Sequence, residues 1–317
     1  MTWSSIQKPI VASLGLATTL LLAAAGCGGD ATKTDDAVVV TDPSATVTAP
    51  ASSPASPAGG AATTPATSAS TSPAAAPAAS SAPAGKAGGY GTLKGQVLLA
   101  GNPPAANVLF AQGKASKDPD VCAKEGAIPN ERLVVDASSK GVKNVLVYIP
   151  KPVGPISDEA KSAASQVEVI FDQKNCIFEP HVLGVMRGAQ VVIKNSDPVS
   201  HNVNSALRNN PFNPILAASQ SSKQIMEGAE RSPGQVTCSI HPWMVSWWMV
   251  FDSPYFAVTD AQGNFEIKNV PAGSQKVVVW QEAAKFITAT SGQDVIIKAD
   301  VSTTVPFKID AGKVAQQ

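Results

Sequence analysis

The sequence predicts an all-β protein, and three observations carry that prediction. Short stretches alternating apolar and polar residues recur from about residue 91 onward. Gly- and Pro-containing turns separate them at short intervals, and helical periodicity is nearly absent. Only Ser157-Asp158-Glu159-Ala160-Lys161-Ser162-Ala163 reads as a helical turn or two, with Ser157 or Asp158 as its cap. A chain of 317 residues suggests about two domains, once an N-terminal third of different character is set aside.

That third begins with Lys8, an apolar run from Ile10 to Ala25, and Gly26-Cys27. The apolar run is short for a membrane-spanning helix and suits a secretory leader. Ala24-Ala25-Gly26-Cys27 resembles a bacterial lipobox, which implies cleavage before Cys27 and a diacylglyceryl group on its sulfur. An ordinary leader or an uncleaved anchor is the alternative. Each reading exports the rest of the chain, and the lipobox reading makes it a periplasmic or outer-membrane lipoprotein anchored in a bacterial membrane. From residue 28 to 90 the chain is Ala, Ser, Thr and Pro with little to bury, a composition expected to stay disordered. As a random coil it would reach about 45 Å, enough to hold a domain off a membrane.

The folded part should begin near Gly91. Leu93–Leu99 reads as a strand, Gly101-Asn102-Pro103-Pro104 as a turn, and Val142–Ile149 as a second strand. Phe256–Ile267 reads as strand, Gly-containing turn and strand. Val270-Pro271-Ala272-Gly273 turns into a strand from Lys276 to Trp280. Acidic and basic residues balance, 24 against 24. No basic patch or Arg-rich stripe suggests nucleic acid.

Between these strands lies Cys238-Ser239-Ile240-His241-Pro242-Trp243-Met244. A thiolate, an imidazole and a thioether at this spacing can turn onto one metal ion from a single loop. Soft thiolate with imidazole suits copper, and a His2Cys set with a long axial Met is the pattern of blue-copper electron-transfer sites. The second imidazole must come from elsewhere. His201, after the polar turn Asn195-Ser196-Asp197-Pro198, is the obvious donor.

Gln190–Asn195 running to His201-Asn202-Val203, followed by Cys238 through Met244, resembles a cupredoxin, and the short loop with Pro242 after the histidine is most like the amicyanin branch. Phe178 to Val185 fits the family's early strand. The resemblance covers roughly 167–251. It implies one type 1 copper held by His201, Cys238, His241 and Met244, with Asn202 hydrogen-bonding the cysteine loop. It also implies that His241 presents a ring edge near solvent, with Pro242 and Trp243 forming an apolar electron-transfer rim. The flanking strands together resemble a carboxypeptidase-regulatory-like domain. The expected whole is a cupredoxin Greek-key sandwich (151–253) combined with a small transthyretin-like β-sandwich (91–150 plus 254–312), preceded by the tether. Two consecutive domains are the simpler alternative.

Cysteine arithmetic follows. With Cys27 on lipid and Cys238 on copper, Cys122 and Cys176 remain, and an oxidising compartment favours a disulfide between them. Two free or metal-binding thiols are the alternative. His181 is the one of three histidines left over and reads as structural or as an extra ligand. A multicopper oxidase or copper nitrite reductase needs more imidazoles than this chain has, and no Gly-x-Ser-x-Gly marks a hydrolase. The expectation is a non-enzymatic one-electron carrier with a redox partner protein. Copper capture or delivery, and a structural or glycan-binding surface domain, are the competing readings.

Overall fold

The structure is a computed structural model that describes residues 88–165 and 168–314. The leader, Cys27 and the tether as far as residue 87 lie outside the described residues.

The strand Val245–Phe251 shows how these residues build the fold. It pairs antiparallel with Gly234–Thr237 and parallel with Val182–Met186. Trp248 and Val250 point into one core while Met249 and Phe251 point into another. A strand buried on both faces reads as a continuous apolar run rather than an alternation, and Trp247-Trp248-Met249-Val250-Phe251 is such a run. The strand Gly273–Gln281 behaves alike: Val277 and Val279 face one core, Val278 and Trp280 the other.

Four strand layers result. In the first sandwich one sheet has the order Ser221–Ile225, Gln190–Asn195, Val169–Lys174, Ile177–Glu179. The other has the order Asn204–Ser205, Gly234–Thr237, Val245–Phe251, Val182–Met186. Their shared core holds Phe171, Phe178, Val191, Ile193, Val236 and Trp248, with Phe171 edge-on to Trp248 at 4.7 Å between centroids. In the second sandwich Tyr90–Ala100 lies antiparallel to Asn264–Pro271 and parallel to Ser302–Thr304 and Phe307–Asp310. The facing sheet joins Phe256–Val258, Leu146–Tyr148, Gly273–Gln281 and Lys285–Phe286, with Gln293–Ile297 on the long strand. Leu146, Tyr148, Val278 and Trp280 of this sheet meet Val182, Met249 and Phe251 of the first sandwich in a third cluster. Phe251 stacks on Phe256 at 4.4 Å there.

Several expectations change in detail. The strand expected over Val142–Ile149 is continuous only over Leu146–Tyr148, with Val142 in an isolated bridge to Val135. Asn144 sits at φ 62°, which interrupts an extended run. Thr259 replaces the ladder there, its Oγ1 accepting from Val145 N at 2.9 Å and donating to Val142 O at 2.7 Å. The single early strand expected from Phe178 to Val185 is two strands in different sheets, separated at Pro180, which has no N–H to donate. The helix spans Asp158–Ser165 and Ser157 is its cap, accepting from Ala160 N at 3.2 Å. Its Ala160, with Ile156 before it, packs on the second sandwich's core rather than the first. Conversely Phe110, Ala115, Cys122, Ala123 and Ile128, expected in the second sandwich, pack on the first. This stretch leaves its parent sandwich as a strap, closed at its base by Val108–Phe110 pairing with Ile128–Pro129.

Candidate metal centre

The Cys238–Met244 loop connects Gly234–Thr237 to Val245–Phe251 and is closed by its own backbone. Cys238 N–H donates to Met244 O at 3.2 Å, and Met244 N–H donates to His241 O at 2.9 Å. His241 N–H donates to the Cys238 sulfur at 3.3 Å. His201 arrives on the short strand His201–Asn202, paired with Ile215–Leu216. One donor atom each from His201, Cys238 and His241 lies within 4.8 Å of the others. All three residues are buried, and Met244 is buried in the same core.

The orientation of the two imidazoles is the informative feature. His201 Nδ1 faces His241 Nδ1 at 2.9 Å, and the Cys238 sulfur is 3.9 Å from His241 Nδ1. Each ring's other nitrogen meets a carboxylate: His201 Nε2 lies 2.8 Å from Asp197 Oδ2, and His241 Nε2 lies 2.8 Å from Asp118 Oδ2. A carboxylate only accepts, so each Nε2 carries the proton and each Nδ1 presents a lone pair. Two lone pairs and a thiolate converging in a dry interior require a cation among them. Without a metal that cation is a proton. Burial opposes the His201 imidazolium, but the Asp197 hydrogen bond and the Cys238 sulfur outweigh it and raise its pKa to about 8. Burial likewise opposes the Cys238 thiolate, yet hydrogen bonds from the two imidazoles bring the thiol down to about 5. The donor set therefore fits a soft-to-borderline metal ion, which would displace that proton.

Asn202 hydrogen-bonds the cysteine loop. Its Oδ1 accepts from Ser239 N at 2.7 Å and from Ile240 N at 3.3 Å, and lies 3.4 Å from the Cys238 sulfur. Its Nδ2 donates to Asn213 Oδ1 at 2.7 Å, which fixes the amide. Cys122 and Cys176 form a disulfide, and their sulfurs together with a His241 nitrogen lie within 4.8 Å of one another. The bridge thus pins the strap directly over the loop. Asp197 anchors the same region, accepting from Asn175 N at 2.7 Å and Cys176 N at 2.8 Å.

One expectation is overturned here. His241 has no solvent-facing edge: it is 0% exposed. The strap covers it, with Asp118 on its Nε2 and Phe110 edge-on to Trp243 at 4.9 Å. Of the expected rim, Pro242 is exposed and Trp243 is half-buried, its Nε1 donating to Cys176 O at 3.0 Å. His181 lies away from the centre, its Nε2 2.6 Å from Glu282 Oε2 and its Nδ1 3.9 Å from Glu131 Oε2. Asp118 and Asp197 were not singled out from sequence. Asp197 has a signal, four residues before His201 in a polar turn; Asp118 is 123 residues from His241 and has none.

No protein-family model and no curated protein matches the chain. Among solved structures it is similar to a purple cupredoxin from Nitrosopumilus maritimus, at 24% identity over 26% of this chain and 99% of that one, TM-score 0.23. A copper-containing nitrite reductase from Thermus scotoductus SA-01 is 21% identical over 32% of this chain, TM-score 0.25, and the chain spans only 25% of its length. An amicyanin variant in the Cu(I) form is 19% identical over 33% of this chain and 97% of that one, TM-score 0.24. These neighbours are copper proteins by name, but similarity this low assigns no family to the chain.

Proposed function

We propose that the chain holds one type 1 copper through His201, Cys238 and His241, with Met244 as the weak axial ligand, and serves as a one-electron carrier. The observation that carries this reading is the convergence of two Nδ1 lone pairs and a thiolate, each ring held from behind by a carboxylate. Bound copper would supply a one-electron couple. The chain's own part is to hold the donors in one arrangement for both oxidation states, and the carboxylates, Asn202 and the disulfide supply that rigidity. Burial of all three donors favours a resident metal over the open, exchangeable site that copper capture requires. The leader and Cys27 would export the protein and tether it by lipid to a bacterial membrane, with a redox protein as partner.

The test is direct. The purified protein given Cu(II) should turn intensely blue through a thiolate-to-copper charge-transfer band. Cys238→Ser should abolish the colour, and His201→Ala should bleach or shift it. A colourless tetragonal Cu(II) complex would remove the carrier reading in favour of capture, and failure to bind copper would leave only a structural role. Mass spectrometry of the membrane fraction tests the tether, with a diacylglyceryl group on Cys27 as the expected result.

A further inference from the structure

His241 is sealed by Asp118, so an electron reaching the centre must pass through a neighbour. Besides His201, the ring in contact with it is Trp243, edge-on at 5.2 Å between centroids. Trp243 does not end at bulk solvent. Its other side lines a half-open cavity of about 290 Å³, walled also by Leu109, Ile128, Phe178 and Met244. The polar part of the lining includes His181, Arg132, Glu131 and Glu282. The His181, Glu131 and Glu282 side chains are at most 18% exposed. Burial pushes the Glu282 carboxyl up, but the His181 hydrogen bond and charge prevail and hold it below the usual carboxylate value. Glu131 shares its charge with His181 and with Lys143, 3.7 Å away.

We propose that this cavity binds a small aromatic alcohol, of the phenol or hydroquinone class, which donates one electron through Trp243 toward His241. The inference rests on the carrier reading for its oxidant. Three features select the ligand class. The volume accommodates a single substituted ring and excludes a folded partner. The wall of Trp243, Phe178 and Leu109 suits a flat apolar ring, since aromatic faces and edges attract in offset or edge-on arrangements. The polar part of the lining carries two carboxylates, which accept from a hydroxyl donor, beside Arg132 and His181, which balance their charge.

The chemistry also requires what the polar wall holds. Removing one electron from a phenol makes its O–H strongly acidic, so the proton needs a base within hydrogen-bond reach. The hydroxyl proton passes to the Glu131 carboxylate as the O–H bond breaks. The electron would pass through Trp243 toward His241, its acceptor being the one-electron couple that a copper held by His201, Cys238, His241 and Met244 would supply. The ring leaves as a neutral oxygen-centred radical, and two such radicals from hydroquinone disproportionate to quinone and hydroquinone. A small donor on this side leaves the remaining surface for the protein that receives the electron.

Two measurements test the proposal, one of them independent of metal. Resorcinol, a dihydroxybenzene that is not readily oxidised to a quinone, should bind the metal-free protein saturably and shift the His181 ring resonances. Leu109→Trp, at the half-exposed lip of the cavity, should abolish that binding. In the copper-loaded protein, the rate at which hydroquinone bleaches the blue band should saturate with hydroquinone concentration. Glu131→Gln should lower the saturated rate by about 100-fold, the scale of general-base assistance, with the colour itself unchanged. Absence of resorcinol binding, or bleaching that stays linear in hydroquinone and indifferent to Leu109→Trp, would overturn the cavity assignment. Resorcinol binding to a protein that never turns blue would instead sink the carrier reading and the electron step with it.

Discussion

The two sandwiches of this protein have the same strand architecture and opposite interiors. Around Trp248 the core holds Asn195, Asp197, His201, Asn202, Ser205, Asn210 and His241, all buried. The core of the other sandwich is almost wholly aliphatic, from Leu93, Val97 and Val147 to Val279 and Ile297. Its buried polar side chains tie loops: Gln275 bonds Val153 N, Val153 O and Pro271 O, and Thr259 bonds Val142 and Val145. Burying polar groups is costly unless each is satisfied. In the first sandwich that cost is concentrated around the turn and loop where His201, Cys238 and His241 converge. Asn195, for example, donates to Val199 O, Leu216 O and Ala217 O around the turn that delivers His201. One sandwich uses its buried polar groups to tie loops, and the other uses them to orient the converging donors.

The largest expected effect concerns the link between them. Replacing Cys122 and Cys176 by Ala opens a loop of sequence separation 54 and should cost about 4 kcal/mol by loop entropy. Denaturant unfolding measures it, and copper affinity should fall in parallel because the strap that carries Asp118 is freed. An unchanged unfolding midpoint would mean that packing alone holds the strap. Next, Leu93→Ala in the aliphatic core should cost about 3 kcal/mol by cavity formation and leave the copper spectrum unaltered. A spectral shift would show that the two interiors are coupled, against the additivity expected of distant sites.

Asp197→Asn should do the reverse. Copper affinity should fall by roughly 10- to 100-fold, as when the outer partner of a metal-bound histidine is lost, with the aliphatic sandwich's protection against hydrogen exchange intact. Competition with a copper chelator reads the first, and equal affinity in the variant would mean that the loop alone orients His201. The smallest effect is at the seam. Glu282→Gln weakens the bond to His181 and should cost about 1.5 kcal/mol near neutral pH. Because the Glu282 pKa is lower folded than its ordinary value of 4.5, this contribution is complete above that value and fades as pH falls through the folded one. Wild type and variant should therefore converge in acid, and a gap that persists there would assign the loss to packing.

Sequence by itself determined the all-β class and the clustering of donor side chains in the Cys238–Met244 loop. Alternation and turns are local patterns, and Cys238, His241 and Met244 fall within seven consecutive residues, so their meeting needs only a tight connection between two strands. His201 and Asn202 were also legible, since a polar turn after a strand marks where a side chain is presented rather than packed. The doubly buried runs at Trp247–Phe251 and Val277–Trp280 signalled strands, but not that each joins two cores. Only the tertiary structure decided that residues 108–130 leave one sandwich to roof the other, that Asp118 closes over His241, and that His181 binds Glu282. Those contacts span 123 and 101 residues of sequence. They depend on how separate sheets stack, and a local period carries no information about which distant segment will cover an exposed edge.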